Sequence, residues 1–180
     1  CQRCAPPAEP LERATMLKLK LIVGSTRAGR NADKVLQWAV PVIKQHQAFE
    51  LEVLDLRDWA LPFFQETHET LGDPKAPTYS MPVVKEWNQR IGTGDAFLML
   101  TPEYNHGYPA VLKNAIDSVF FSFGFRNKPV AFIGYSIGVA AGVRAIEQLN
   151  QVMIEAEASP IRTPLLIPQV MGAFGPNGAP

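Results

Sequence analysis

Apolar positions along the chain follow two alternating spacings. Leu17–Gly24 (LKLKLIVG) begins as an alternation and becomes continuously apolar, as a strand buried on both faces does. Asn31–Gln45 instead places Ala32, Val35, Leu36, Ala39, Val40 and Ile43 on one stripe, the spacing of an amphipathic helix. Pro41 inside that stripe removes a backbone hydrogen bond and predicts a kink or an early end. Leu51–Leu56 (LEVLDL) alternates as a second strand, and the three prolines of residues 57–80 mark a long loop with room for one helical turn. Pro82–Ile91 carries Val83, Val84, Trp87 and Ile91 on one helical face. Ala96–Leu100 (AFLML) and Pro129–Tyr135 (PVAFIGY) read as buried strands. Between them Pro109 suits the first position of a helix, with Val111, Leu112, Ala115, Ile116 and Val119 as its stripe. Val139–Glu155 reads as helical, with Val143, Ile146, Leu149 and Met153 facing inward. Arg162–Val170 is a last strand, placed at a sheet edge because Pro164 and Pro168 interrupt it.

Strands and helices alternate with no hairpin signal. That order predicts a parallel sheet with helices on both faces and right-handed crossovers. Five strands in 180 residues point to a three-layer α/β domain with the flavodoxin-like strand order 2-1-3-4-5.

Composition narrows the function classes. Apolar residues make up 47% and charged residues 19%, a globular rather than disordered balance. Lys plus Arg and Asp plus Glu are 17 each, for a net charge of zero. A general nucleic-acid binder usually carries a basic surplus, so no nucleic-acid partner is expected. No apolar run approaches the roughly 18 residues that cross a membrane, so no membrane partner is expected either. Cys1 and Cys4 are the only cysteines; a disulfide framework in the core is excluded, and a reducing cytoplasm is the expected location. Cys1-x-x-Cys4 is half a zinc site without its second half. Residues 1–15 are Pro/Ala-rich and aperiodic and lack the apolar stretch of a secretory signal. They read as an unstructured extension, with Met16 the natural start of a domain over 16–180.

In such a sheet the ligand sits outside the carboxyl ends of the strands, where the strand order reverses. Three loops meet that description: Gly24–Asn31 (GSTRAGRN), Thr101–Tyr108 (TPEYNHGY) and Gly134–Gly138 (GYSIG). The first joins a strand to a helix start, where free N–H groups and the helix dipole favour an anion. Ser25 and Thr26 offer hydroxyls and Arg27 a phosphate partner; a capped helix start with solvated arginines would read the same way. G-x-G-x-x-G is missing. Gly24 and Gly29 have P-loop spacing, but Arg30 and Asn31 stand where that motif has Lys and Ser/Thr. Asp55 could serve as the second carboxylate of a triphosphatase, yet a monophosphate without a required metal fits better. In the second loop Pro102, Glu103, Tyr104 and Asn105 offer amides and an aromatic plane suited to a flat heteroaromatic ring. In the third, small residues let a ligand approach the backbone closely.

With these loops in view, the sequence resembles the NADPH-dependent FMN reductase family of flavodoxin-like proteins, which includes azo-dye, quinone and chromate reductases. The likeness rests on Gly24-Ser25-Thr26-Arg27, on Thr101-Pro102-Glu103-Tyr104-Asn105, on Pro109 to Asp117 (PAVLKNAID) and on Asn127-Lys128-Pro129-Val130-Ala131. It implies FMN as bound cofactor and NADPH or NADH as co-substrate. Ser25, Arg27 and Asn31 would hold the FMN phosphate, with Thr26 and Arg30 nearby. Pro102, Glu103, Tyr104 and Asn105 would line the isoalloxazine ring, and Ser136 and Gly138 would close its other side. A small-molecule electron acceptor and a homodimer or homotetramer are implied as well. The family continues past its fifth strand into a last helix, which this chain lacks through Pro180, so one sheet face is expected to be less covered.

Flavin chemistry needs no side-chain nucleophile. His106 is expected to be a solvent-exposed loop residue and Glu103 a loop hydrogen-bonding group with the option of tuning the flavin. Phe120, Phe121, Phe123 and Phe125 read either as core or as a homodimer surface, and Trp59, Phe63 and Phe64 pose the same choice. A non-catalytic electron carrier of flavodoxin type is the competing function; carriers tend to be strongly acidic, which zero net charge does not match.

Overall fold

The computed structural model describes residues 16–175, 178 and 180; residues 1–15, with the half zinc site and the expected extension, lie outside the described residues. Strands β1 (Leu17–Val23), β2 (Phe49–Asp55), β3 (Ala96–Pro102), β4 (Pro129–Tyr135), β5 (Ser159–Pro160) and β6 (Leu165–Ile167) form one sheet. The order is β2-β1-β3-β4-β5, with β6 also paired to β4, and every pairing is parallel. Val23 lies opposite both Asp55 and Leu100, and Thr101 opposite Gly134. The loops leaving β1, β3 and β4 therefore emerge side by side.

Helices α1 (Ala32–Lys44), α2 (His68–Leu71), α3 (Pro82–Gly92), α4 (Ala110–Asp117) and α5 (Val143–Glu155) complete the fold, with a 3-10 turn at Phe120–Ser122. Side chains alternate across each strand. Ile22, Phe97, Met99, Val130 and Phe132 pack under Trp87, Leu112, Ile146 and Leu149 of α3, α4 and α5. The alternate set, Leu21, Val23, Leu100, Ile133 and Tyr135, packs under Ala32, Val35 and Ala39 of α1. Each fully buried large side chain contributes roughly 1.5–3 kcal/mol of transfer free energy. Among the described residues no helix is long and apolar enough to cross a membrane.

Four details depart from the sequence reading. Helix α1 runs through Pro41 to Lys44, because Pro41 sits in the last turn on the exposed side, where a lost backbone bond matters least. Helix α5 begins at Val143 rather than Val139. Ala141 and Gly142 adopt left-handed φ values of 55° and 87° and break the helical path. A Cβ on Gly142 would lie 2.7 Å from the Tyr135 nitrogen, so the chain turns back directly over the end of β4. The fifth strand is split into β5 and β6, since Pro164 can donate no ladder bond; it is the edge segment that its prolines predict. The aromatic cluster divides: Phe121 and Phe125 are buried, while Phe120 is 52% exposed and Phe123 lies 3.7 Å under the Arg126 guanidinium.

Among the described residues no helix follows β6. Residues 168–174 run over α1 instead, with Val170 fully buried and the Phe174 ring 6.1 Å from Trp38.

Candidate functional site

The three loops enclose a cleft of about 290 Å³ at the carboxyl edge of the sheet. From the loop after β1 come Arg27, Ala28, Gly29, Arg30 and Asn31; Pro102, Glu103 and Tyr104 follow β3; Tyr135, Ser136 and Ile137 follow β4, with Val170 beside them. Of the residues singled out in the sequence, Ser25, Thr26, Asn105 and Gly138 belong to the same loops but not to the wall.

Backbone donors concentrate in the first loop. Among the described residues, the amides from Ser25 to Ala32 donate to no carbonyl or side chain. They precede a 13-residue helix whose first-turn dipole adds positive potential. Asn31 occupies the N-cap position, and its side chain makes no capping bond, so its amide group is free to turn to the cleft.

The two arginines of this loop have different surroundings. Arg27 carries no carboxylate partner among the described residues; its guanidinium stacks 3.9 Å over the Tyr104 ring. Arg30 is buried under the loop, and all five of its N–H donors are taken. Nε and Nη2 donate to Asp33 Oδ1 at 3.0 and 2.9 Å, Nη1 donates to Asp55 Oδ1 at 2.8 Å and to the Ser25 carbonyl, and Nη2 also donates to Asp55 Oδ2. Arg30 thus braces the loop from below and has no donor left for a ligand. Burial alone would raise the Asp55 carboxyl, but hydrogen bonds from Arg30 and Arg57 hold it below the usual carboxylate range. Asp55 is therefore committed to the brace, which removes it from the metal-binding place in the triphosphatase reading.

The second loop is a tight turn. Tyr104 N donates to the Gly107 carbonyl at 2.8 Å and Gly107 N returns a bond at 3.1 Å. Asn105 and His106 between them have φ of 50° and 72°, the left-handed pair of a type I′ turn. Gln148 Nε2 on α5 holds the His106 carbonyl at 2.8 Å, and His106 itself is exposed. The Tyr104 hydroxyl reaches back to Ser25 Oγ at 2.7 Å. Glu103 turns its side chain inward, 4% exposed, and pairs with Arg144 near the start of α5.

Tyr135 is a wall residue that falls in the third loop named from the sequence but received no role of its own there. It is 3% exposed, and its hydroxyl has no hydrogen-bond partner; the neighbouring Ser25 hydroxyl is engaged by Tyr104. Burial pushes the phenol well above its ordinary value, so it stays a neutral donor. The third loop is tied down by Val170 N to the Ser136 carbonyl at 3.0 Å, Gln169 N to the Gly138 carbonyl at 3.1 Å and Ser136 Oγ to the Gly138 carbonyl at 2.8 Å.

The chain is similar to several known proteins. It is 32% identical over 165 residues to a NAD(P)H-dependent FMN reductase of Pseudomonas aeruginosa, covering 90% of this chain and 83% of that one. A 2-hydroxy-1,4-benzoquinone reductase of Burkholderia sp is 31% identical over 76% of this chain and 69% of its own. Among solved structures, FerB, a flavoenzyme NAD(P)H:(acceptor) oxidoreductase from Paracoccus denitrificans, superposes with a TM-score of 0.70 at 26% identity, over 91% of this chain and 86% of that one. The sequence model for NADPH-dependent FMN reductases matches residues 17–171. By that match this chain belongs to the NADPH-dependent FMN reductase family.

Proposed function

We propose that this chain is an FMN-dependent NAD(P)H oxidoreductase that passes electrons to a neutral, planar acceptor of the quinone type. The supporting observation is the donor surplus of the cleft: free amides from Ser25 to Ala32, an Arg27 without a carboxylate and an orphaned, buried Tyr135 hydroxyl. A phosphate monoester answers all of these, and a flat ring can extend from it toward Pro102, Glu103 and Ser136. FMN fits these residues. Arg27, Asn31 and the loop amides would hold its phosphate, with Arg30 bracing the loop rather than touching it. Asn105, Ser136 and Gly138 would flank the ring.

When bound, FMN supplies the hydride chemistry. The loop after β1 would hold its phosphate, and the residues after β3 and β4 that line the cleft would flank its ring. Acceptor class follows from charge. Arg30 and Arg144 are neutralised by carboxylates and Arg27 is assigned to phosphate, so a metal oxyanion finds no spare guanidinium at the cleft. Exposed Ile137 (72%) offers a neutral ring an apolar rim. Phe63 (78% exposed), Phe120 and a cavity of about 310 Å³ beside Ile116, Val119 and Phe123 would be covered in a homodimer. A cytoplasmic location completes the reading.

Titration of flavin-free protein with FMN, followed by fluorescence quenching, tests the binding; anaerobic NADPH or NADH should then bleach the yellow complex, and a benzoquinone should restore its colour faster than chromate. Protein that takes up no FMN overturns the proposal. A yellow complex that neither nicotinamide reduces favours the electron carrier.

A further inference from the structure

Glu103 is the acidic residue of the cleft wall, and it sits at the end where the flavin ring is placed. Its side chain is 4% exposed and pairs with Arg144 Nη2, while the Arg144 side chain is 42% exposed. Within this pair Glu103 Oε2 and Arg144 Nε are both buried without a hydrogen-bond partner. An ion pair that buries its carboxylate, leaves its cation partly exposed and orphans an atom on each side is a poor source of stability, because desolvation of Glu103 and solvent screening of Arg144 offset the attraction. Apolar residues of similar volume would pack that space at least as well. The electrostatic effect is specific, however. With Arg144 present, the carboxylate on the cleft wall is cancelled locally. Without it, a bare negative charge in a low-dielectric wall would face the ring. The other carboxylates of the region, Asp33 and Asp55, are held by Arg30 and Arg57 around the first loop.

We infer that Arg144 is a positioning residue that neutralises Glu103 and thereby sets how strongly the cleft favours reduced over oxidised coenzyme. The inference rests on the FMN reading. Reduced FMN carries more negative charge than oxidised FMN, so an unpaired carboxylate on the wall weakens the reduced form selectively. Arg144 also spans two elements, since it fixes the loop after β3 to the first turn of α5.

The test is the ratio of dissociation constants for oxidised and reduced FMN, or equally the two-electron midpoint potential of the complex, at about pH 8, well above the ordinary carboxylate range. In Arg144→Gln the reduced form should lose about tenfold in affinity relative to the oxidised form, a fall of about 30 mV in potential. Arg144→Lys, which keeps the charge, should stay near the parent. Glu103→Gln should move the potential upward, by less because the Arg144 side chain is partly exposed and its charge is screened. The double variant Glu103→Gln/Arg144→Gln should return toward the parent. Should Arg144→Gln fail to fold, Glu103→Gln and the double variant carry the test. Equal losses in both oxidation states, or a potential that no variant moves, would overturn the inference and leave the FMN reading standing. A parent protein that takes up no FMN would overturn both.

Discussion

The Tyr104 hydroxyl bonds Ser25 Oγ at 2.7 Å across 79 residues of chain, and the Arg27 guanidinium covers the same ring at 3.9 Å. The side chain of Tyr104 therefore packs against the loop after β1, which the proposed function assigns to the FMN phosphate, whereas the family resemblance would place this residue along the ring. Replacing it should affect FMN more than riboflavin, which has no phosphate. Tyr104→Phe keeps the stacking and loses one hydroxyl bond of about 1 kcal/mol, so FMN affinity should fall about fivefold. Tyr104→Ala also loses a cation–π contact of about 0.5–2 kcal/mol and should fall further. Parallel titrations with both flavins check the contrast.

Arg27→Glu reverses the one cleft guanidinium that lacks a carboxylate partner among the described residues. A charge-assisted hydrogen bond contributes about 1.5–3 kcal/mol, so removal plus repulsion should weaken FMN at least about 100-fold. Riboflavin binding should stay within about threefold of the parent. Calorimetric titration would expose the idea as wrong if FMN bound as tightly as before.

Tyr135→Phe should move two measurements in opposite directions. Its hydroxyl is buried and unpartnered in the ligand-free protein, a state that costs about 1–3 kcal/mol. The variant apoprotein should therefore melt at a higher temperature. On the proposed function, in which the hydroxyl donates to the coenzyme, the same variant should bind FMN several-fold more weakly. A lower melting temperature would indicate a purely structural role.

Arg30→Ala should destabilise the fold by about 3–5 kcal/mol, since it strands the Asp55 carboxylate under the loop. The brace also makes stability depend on acid. Asp55 is held below its ordinary range, so the folded state binds that proton less readily than the unfolded chain. Its contribution is complete above the ordinary carboxylate range, about pH 4, and is lost as the pH falls through the depressed folded value. Urea midpoints followed downward from about pH 6 should drop more steeply for the parent than for Asp55→Asn.

Gly142→Ala tests the crossing over β4. The position has φ of 87°, and an added Cβ would lie 2.7 Å from the Tyr135 nitrogen and 2.9 Å from Gly134 Cα. Backbone, not a flexible side chain, must yield, so a loss of more than about 2 kcal/mol is expected, with weaker FMN binding because Tyr135 and Ser136 shift. Thermal melting alongside flavin titration reads both.

The strands β1, β3 and β4 were legible because burial on two faces writes a continuous apolar run, which few other structures demand. The strand order followed from alternation with helices. Less was legible where the deciding partner lies far along the chain. Arg27 and Arg30 are the same residue type three positions apart, and nothing local says that one faces the cleft while the other is buried. Asp55 decides it, from the end of β2. Tyr135 was hidden differently: it closes an apolar strand and packs in the core under α1, although the residue also borders the cleft. The left-handed step at Ala141 and Gly142 was signalled only by a glycine inside an otherwise helical pattern. Ile137 and Val170 carried no signal of their own, since their place on the wall depends on how residues 167–170 tie to the loop after β4.

The split edge of the sheet bears on how these molecules behave in a crowd. Pro160, Pro164 and Pro168 punctuate the margin formed by β5 and β6, so that side cannot present an unbroken row of amide hydrogens to a neighbour. Leu165 and Leu166, 43% and 38% exposed, can thus remain greasy without templating the growth of fibrils.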